Sequence, residues 1–141
     1  VPADDLVLLR FADYGSEVYG YSIIVNPAFA AAKPEAVKGF IRAVIGGLDL
    51  AIKRPLFAVE QVVKRMEGGS QDLELERLRT LLRDNVLTSE VRRNGLGGID
   101  PARFEKGIDQ IAEDFKFHKR PTAADVFDGS FLPPLNVRLI N

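Results

Sequence analysis

Apolar residues recur at steps of three and four along most of this chain, a spacing that predicts helices. The longest such run lies between Pro34 and Lys53 and carries Val37, Phe40, Ile41, Val44, Ile45, Leu48, Ala51 and Ile52. It predicts one apolar face on a helix about 30 Å long. A shorter helix precedes it, from the Asn26-Pro27 cap to Ala32. Pro55 opens a third, with Val59, Val62, Val63 and Met66 on one side and Gly68-Gly69 as its stop. A fourth, capped by Ser70 or Asp72, presents Leu75, Leu78, Leu81 and Leu82. The segment Thr88 to Arg93 adds a turn. The fifth helix starts at Asp100-Pro101, and its face of Phe104, Ile108, Ile111, Ala112 and Phe115 is the cleanest pattern in the chain. Thr122 to Asp125 has the spacing of a capping box for a last short helix. Phe131-Leu132-Pro133-Pro134 reads as an irregular tail.

The start of the chain has a different rhythm. Leu6-Val7-Leu8-Leu9 and Tyr21 to Val25 are short apolar runs, the second rich in β-branched residues, and both read as strands. Gly15 and Gly20 bracket the loop between them, where positive φ is expected. Two strands rarely make a stable sheet alone. They either pair under the helices or belong to larger sheets. Together with a first residue that is Val1 and not methionine, this makes the chain read as a fragment of a longer polypeptide. Gly46-Gly47, inside the long helix, costs helix stability and is read as a point of close approach by another element, with a kink as the alternative.

Bulk composition narrows the function. The 141 residues suffice for one domain with a core, and a net charge of -1 without long charge runs argues against nucleic-acid binding through a basic surface. The chain has no cysteine, which removes disulfides, thiolate metal sites and a cysteine nucleophile. No apolar run reaches the ~20 residues of a membrane span, so no direct membrane insertion is expected.

Most candidate chemistry reads as structure. The single histidine, His118, lies among Lys116, Lys119 and Arg120 with no carboxylate or nucleophile partner evident. Gly95-Leu96-Gly97-Gly98 follows a helix, lacks the dinucleotide spacing, and precedes Asp100, which would repel an anion. Asp72, Glu74 and Glu76 complement a helix N-terminus. No catalytic residue, metal site or cofactor is expected. Asp13, Tyr14, Ser16, Tyr19 and Tyr21 are different. All three tyrosines of the chain fall within eight residues on a glycine-punctuated loop. Tyrosine combines a flat apolar face with a polar tip, which suits a small polar or heteroaromatic ligand. Packing around the turn is the alternative.

The order of these pieces resembles one family. Phe11-Ala12-Asp13-Tyr14-Gly15, the run Tyr19 to Val25, Lys33-Pro34-Glu35-Ala36-Val37-Lys38-Gly39-Phe40 with Arg42-Ala43, Gly97 to Asp109, and Asp125-Val126-Phe127 with Phe131-Leu132-Pro133 are similar to segments of the periplasmic substrate-binding proteins of ABC transporters. These take up sulfonates, nitrate and thiamine-pyrimidine precursors. The resemblance implies an α/β, helix-rich fold: the C-terminal part of a two-lobed type II periplasmic-binding-protein fold, with two N-terminal strands followed by five or six helices. Residues 1–20 would end the second lobe and cross the hinge, and residues 21–141 would form the C-terminal helical part of the first. It implies an exported, periplasmic, non-enzymatic protein that binds a small-molecule ligand between the lobes and hands it to an ABC transporter permease. Asp13, Tyr14, Ser16, Tyr19 and Tyr21 are the expected ligand-binding residues, with Tyr14 and Tyr19, near the crossing, expected to line the cleft. A truncated form is expected to pair as a homodimer, by strand exchange or by covering apolar surface. Two other readings stay open: a thiamine-pyrimidine biosynthetic enzyme of the same fold, and a helical protein-interaction module.

Overall fold

The computed structural model describes residues 5–7, 9–16 and 18–140. A 3-10 turn at Phe11–Tyr14 is followed by helices α1 (Pro27–Ala32), α2 (Pro34–Lys53), α3 (Pro55–Val63) and α4 (Gln71–Leu81). A π turn at Leu82–Val86 then leads to α5 (Ser89–Asn94), α6 (Pro101–Asp114) and α7 (Ala123–Val126). A second 3-10 turn at Gly129–Phe131 precedes α8 (Leu135–Arg138). The sequence expectation of five or six helices thus becomes eight among the described residues, and the tail after Pro134 makes one more turn of helix than its prolines suggested.

The caps explain most of the boundaries. The Asn26 side chain accepts from Ala28 N at 2.9 Å and Phe29 N at 3.4 Å. Ser70, not Asp72, caps α4, accepting from Leu73 N. Thr88 Oγ1 accepts from Val91 N at 3.2 Å, and Asp100 Oδ1 accepts from Arg103 N at 3.0 Å. Each satisfies an N–H that the first helical turn leaves without a partner. The capping box at Thr122 and Asp125 forms as its spacing requires. Proline follows the cap in α1, α2, α3 and α6, where its missing N–H costs nothing.

The two expected N-terminal strands do not form: among the described residues there is no strand. Leu8, in the middle of the first, lies outside the described residues. Residues 21–25 carry β-branched side chains suited to a sheet, yet they are exposed, with Ile24 92% accessible. A strand exists only with a neighbouring backbone to hold its ladder, and the apolar residues alone cannot supply one.

The chain folds as two compact units. The first consists of Val1–Ile24 and Ile99–Asp128. Among its described residues Ile108 is buried, on the apolar face of α6, and α7 packs on the same helix. Arg120 fastens the two. Its guanidinium lies 2.9 Å from Glu105 Oε2 and 2.7 Å from Asp109 Oδ1, while Glu105 Oε1 accepts the Ala123 N–H at the start of α7. The Ala123 N–H, and after it Arg120, hold the Glu105 carboxyl below the usual carboxylate range. The Thr122 N–H and hydroxyl do the same for Asp125.

The second unit consists of Val25–Gly98 and Gly129–Asn141. Here α1 packs on α2, α2 on α3 and on the Gly129–Phe131 turn, and α3 on α4. Ala30, Val37, Ile45, Val59, Leu82 and Leu96 form the core. Arg138 closes the unit: its guanidinium donates to the carbonyls of Pro133, Asn94 and Leu96, at 2.8, 2.8 and 2.9 Å. Gly95 (φ +72°) lets α8 come close, since a Cβ there would stand 2.9 Å from Arg138 Cβ and 3.1 Å from Leu135 Cδ1. The expected close approach at Gly46-Gly47 is not found. Both glycines are exposed, and a Cβ at either would meet nothing within 4 Å. Phe40, expected on the inner face of α2, is 58% accessible.

Gly46→Ala and Gly47→Ala should therefore each raise stability by up to about 1 kcal/mol, whereas Gly15→Ala, at φ +89°, should lower it by about 1–2 kcal/mol. Urea unfolding midpoints of the three variants check this contrast. The α6–α7 junction should also depend on acid. Lowered carboxylate pKa values contribute stability that is present above the unfolded values, near about pH 4. That stability is lost as pH falls through the lowered values. Amide exchange at Ala123 should hold steady between about pH 5 and pH 8, once corrected for intrinsic rates, and its protection should collapse below about pH 4.

Candidate functional site

The loop that carries the tyrosines begins in the 3-10 turn Phe11–Tyr14. Gly15 N–H donates to Ala12 O at 3.2 Å and Ser16 N–H to Phe11 O at 3.1 Å. The turn is possible because Gly15 adopts the left-handed region, φ +89°. The sequence anticipated that conformation at Gly15 and also at Gly20, but only Gly15 has it. Arg10 Nε pairs with Asp13 Oδ2 at 3.1 Å, so the Asp13 carboxylate is engaged locally.

The five expected ligand residues separate into two groups. Asp13, Tyr14, Ser16 and Tyr21 are exposed; Tyr14 is 73% accessible and the Tyr21 side chain is open on all sides. Tyr19 is half-buried against the start of α6. Its hydroxyl oxygen accepts the Asp100 N–H at 2.8 Å. The Arg103 guanidinium lies over its ring, 4.4 Å from the centroid, and the Phe104 ring is tilted beside it at 5.8 Å. A cation over an aromatic face is attracted by the ring quadrupole. Farther along α6, Gln110 Nε2 donates to the Gly15 carbonyl at 2.8 Å.

Sequence reasoning missed Arg103, Phe104 and Gln110 as neighbours of this loop. A signal existed: Arg103, Gly107 and Gln110 fall at steps of four and three on α6, and a glycine within a helix stripe marks a surface that another segment crosses. Val18 Cγ1 would lie 3.8 Å from a Cβ at Gly107.

The remaining candidates have structural roles or none. Gly95, Gly97 and Gly98 are a packing device: a Cβ at Gly97 would stand 3.1 Å from Leu132 Cδ2, and one at Gly98 would collide with Asn94 O. Glu74 pairs with Arg77 at 2.6 Å and Glu76 with Arg79 at 3.0 Å along α4. An open groove of about 410 Å³ lies on α4 and the π turn, lined by Glu76, Arg77, Thr80, Leu81 and Asn85. It shares no residue with the tyrosine loop. His118 is exposed beyond the end of α6, which stops at Asp114. Among the described residues no three of His, Cys, Asp or Glu gather as metal ligands, and no helix is long and apolar enough to cross a membrane.

Residues 2–58 match the family model described as NMT1/THI5 like. The match covers less than half of the chain and contains the whole tyrosine loop. No curated protein and no solved structure matches the chain.

Removing the Tyr19 hydroxyl should leave the partly buried Asp100 N–H without its acceptor. Tyr19→Phe is expected to cost about 1–3 kcal/mol and Tyr14→Phe close to nothing, read from thermal unfolding of both variants.

Proposed function

We propose that this chain is the C-terminal part of a solute-binding component of an ABC-type importer. Its solute is a small polar or heteroaromatic compound of the sulfonate, nitrate or thiamine-pyrimidine-precursor class. The observation that carries the reading is the match of residues 2–58 to an NMT1/THI5 like family model, over the same residues that present Tyr14 and Tyr21 to solvent. In this reading residues 1–20 end one lobe and form the crossing, residues 21–141 belong to the other lobe, and the protein works in the periplasm. The apolar side chains left open at Ile23, Ile24 and Phe40 are what a lobe separated from its sheet would expose.

The role is binding rather than chemistry. The loop offers aromatic faces and hydroxyls, and its Asp13 carboxylate is paired with Arg10, so that carboxylate is engaged rather than poised to move a proton. Ligand held between two lobes favours the closed form, which a permease then recognises. It can shift closure only by the difference in its affinity for the two forms.

The test is calorimetric titration of the full-length polypeptide with nitrate, methanesulfonate and an aminopyrimidine. Saturable one-to-one binding of at least one is expected, weakened about tenfold or more by Tyr14→Ala or Tyr21→Ala. Absence of binding to all three, or binding indifferent to both substitutions, would overturn the reading.

A further inference from the structure

The tyrosine loop has no interior of its own. Its 3-10 turn contains no buried residue, and no ladder supports the backbone after it among the described residues. A segment with so little apolar burial sits at the low end of local stability. Beyond the hydrogen bonds of its own turn, whatever shape it holds must come from a few specific contacts, and the described ones with distant residues come from α6.

Those contacts have an order. Gly15 meets Gln110, Val18 passes over Gly107, and Tyr19 meets Phe104, Arg103 and Asp100. As the loop number rises the helix number falls, so the loop runs antiparallel along α6. The lengths permit it: Asp100 to Gln110 covers about 15 Å of helix, and the chain from Gly15 to Tyr19 can reach up to about 13 Å, with the Tyr19 and Gln110 side chains supplying the rest. The contacts on α6 fall on one stripe, at steps of three and four. On the loop they take the Gly15 carbonyl and the side chains of Val18 and Tyr19, and leave Tyr14, Ser16 and Tyr21 open.

We infer that α6 is the template of the binding loop, with Gln110 and Arg103 as its positioning residues. This rests on reading the loop as ligand-lining. Gln110 fixes the turn at the carbonyl of Gly15, whose backbone is left-handed, and Arg103 fixes the Tyr19 ring. Between them they set where Tyr14 and Ser16 stand. A loop already held in its bound shape loses less freedom when the solute arrives, so both residues raise affinity without touching solute.

The test uses Gln110→Glu, which keeps the side-chain shape but turns an acceptor toward the Gly15 carbonyl, and Arg103→Lys, which keeps the charge but loses the planar cation over Tyr19. In the full-length protein, amide exchange across residues 13–16 should speed up about tenfold in Gln110→Glu, while exchange in the body of α6 and the helical circular dichroism stay unchanged. Affinity for whichever of nitrate, methanesulfonate or the aminopyrimidine binds should fall by a comparable factor, and less in Arg103→Lys. Unchanged loop exchange in both variants overturns the inference, as does faster loop exchange with wild-type affinity. If the wild-type protein takes none of the three probes, the ligand reading falls. Loop exchange then decides by itself whether α6 shapes the loop.

Discussion

A hydrogen bond at the very start of α6 joins the two distant stretches of sequence that make the first unit. The Tyr19 hydroxyl accepts the N–H of Asp100, a residue 81 positions later. Asp100 also caps α6 through its side chain, so loop and helix meet where backbone N–H groups are left over by helix geometry. The hydroxyl supplies what the helix end lacks, and the helix end supplies a fixed point to a segment with no ladder. Arg103 and Phe104, one turn into the helix, then close on the same ring. The exposed residues Tyr14 and Tyr21 are offered from a loop whose middle is tied down.

The second unit uses a similar device at another place. Arg138 gathers the carbonyls on either side of Gly95, those of Asn94 and Leu96, together with that of Pro133. The glycines there make room for that approach. A glycine-rich loop before a helix suggests phosphate to the eye. Here the space that a phosphate or a side chain would occupy at Gly95 is filled by Arg138 and Leu135. In both units a guanidinium on a helix organises an irregular segment, where five donors on a rigid plane can do what apolar burial does not.

Features governed by neighbours in sequence could be read from it. The caps Asn26 and Asp100, the box at Thr122 and Asp125, and the proline starts all act within four residues, and the helices begin where they direct. Features that need a partner far along the chain could not. Residues 21–25 have the composition of a strand, but composition carries no second backbone. Gly46 and Gly47 suggested a crossing that the described residues do not make. For the site, the loop and its tyrosines were legible as a cluster. What eluded the sequence was the division of labour between Tyr19, engaged with α6, and Tyr14 and Tyr21, left open. Arg103 and Gln110 look like ordinary exposed-face residues of an amphipathic helix until the loop is laid across them.

The central claim is that the loop from Asp13 to Tyr21 meets the solute through its open tyrosines while Tyr19 stays on α6. All three tyrosines of the chain lie there, so their ring resonances report on little else. The most direct measurement is an NMR titration of specifically labelled tyrosine rings with nitrate, methanesulfonate and an aminopyrimidine. The account predicts that a binding solute moves the Tyr14 and Tyr21 signals and leaves Tyr19 nearly in place. A solute that binds by calorimetry while all three tyrosine signals stay in place, or one that moves Tyr19 and leaves Tyr14 and Tyr21 unmoved, would contradict it.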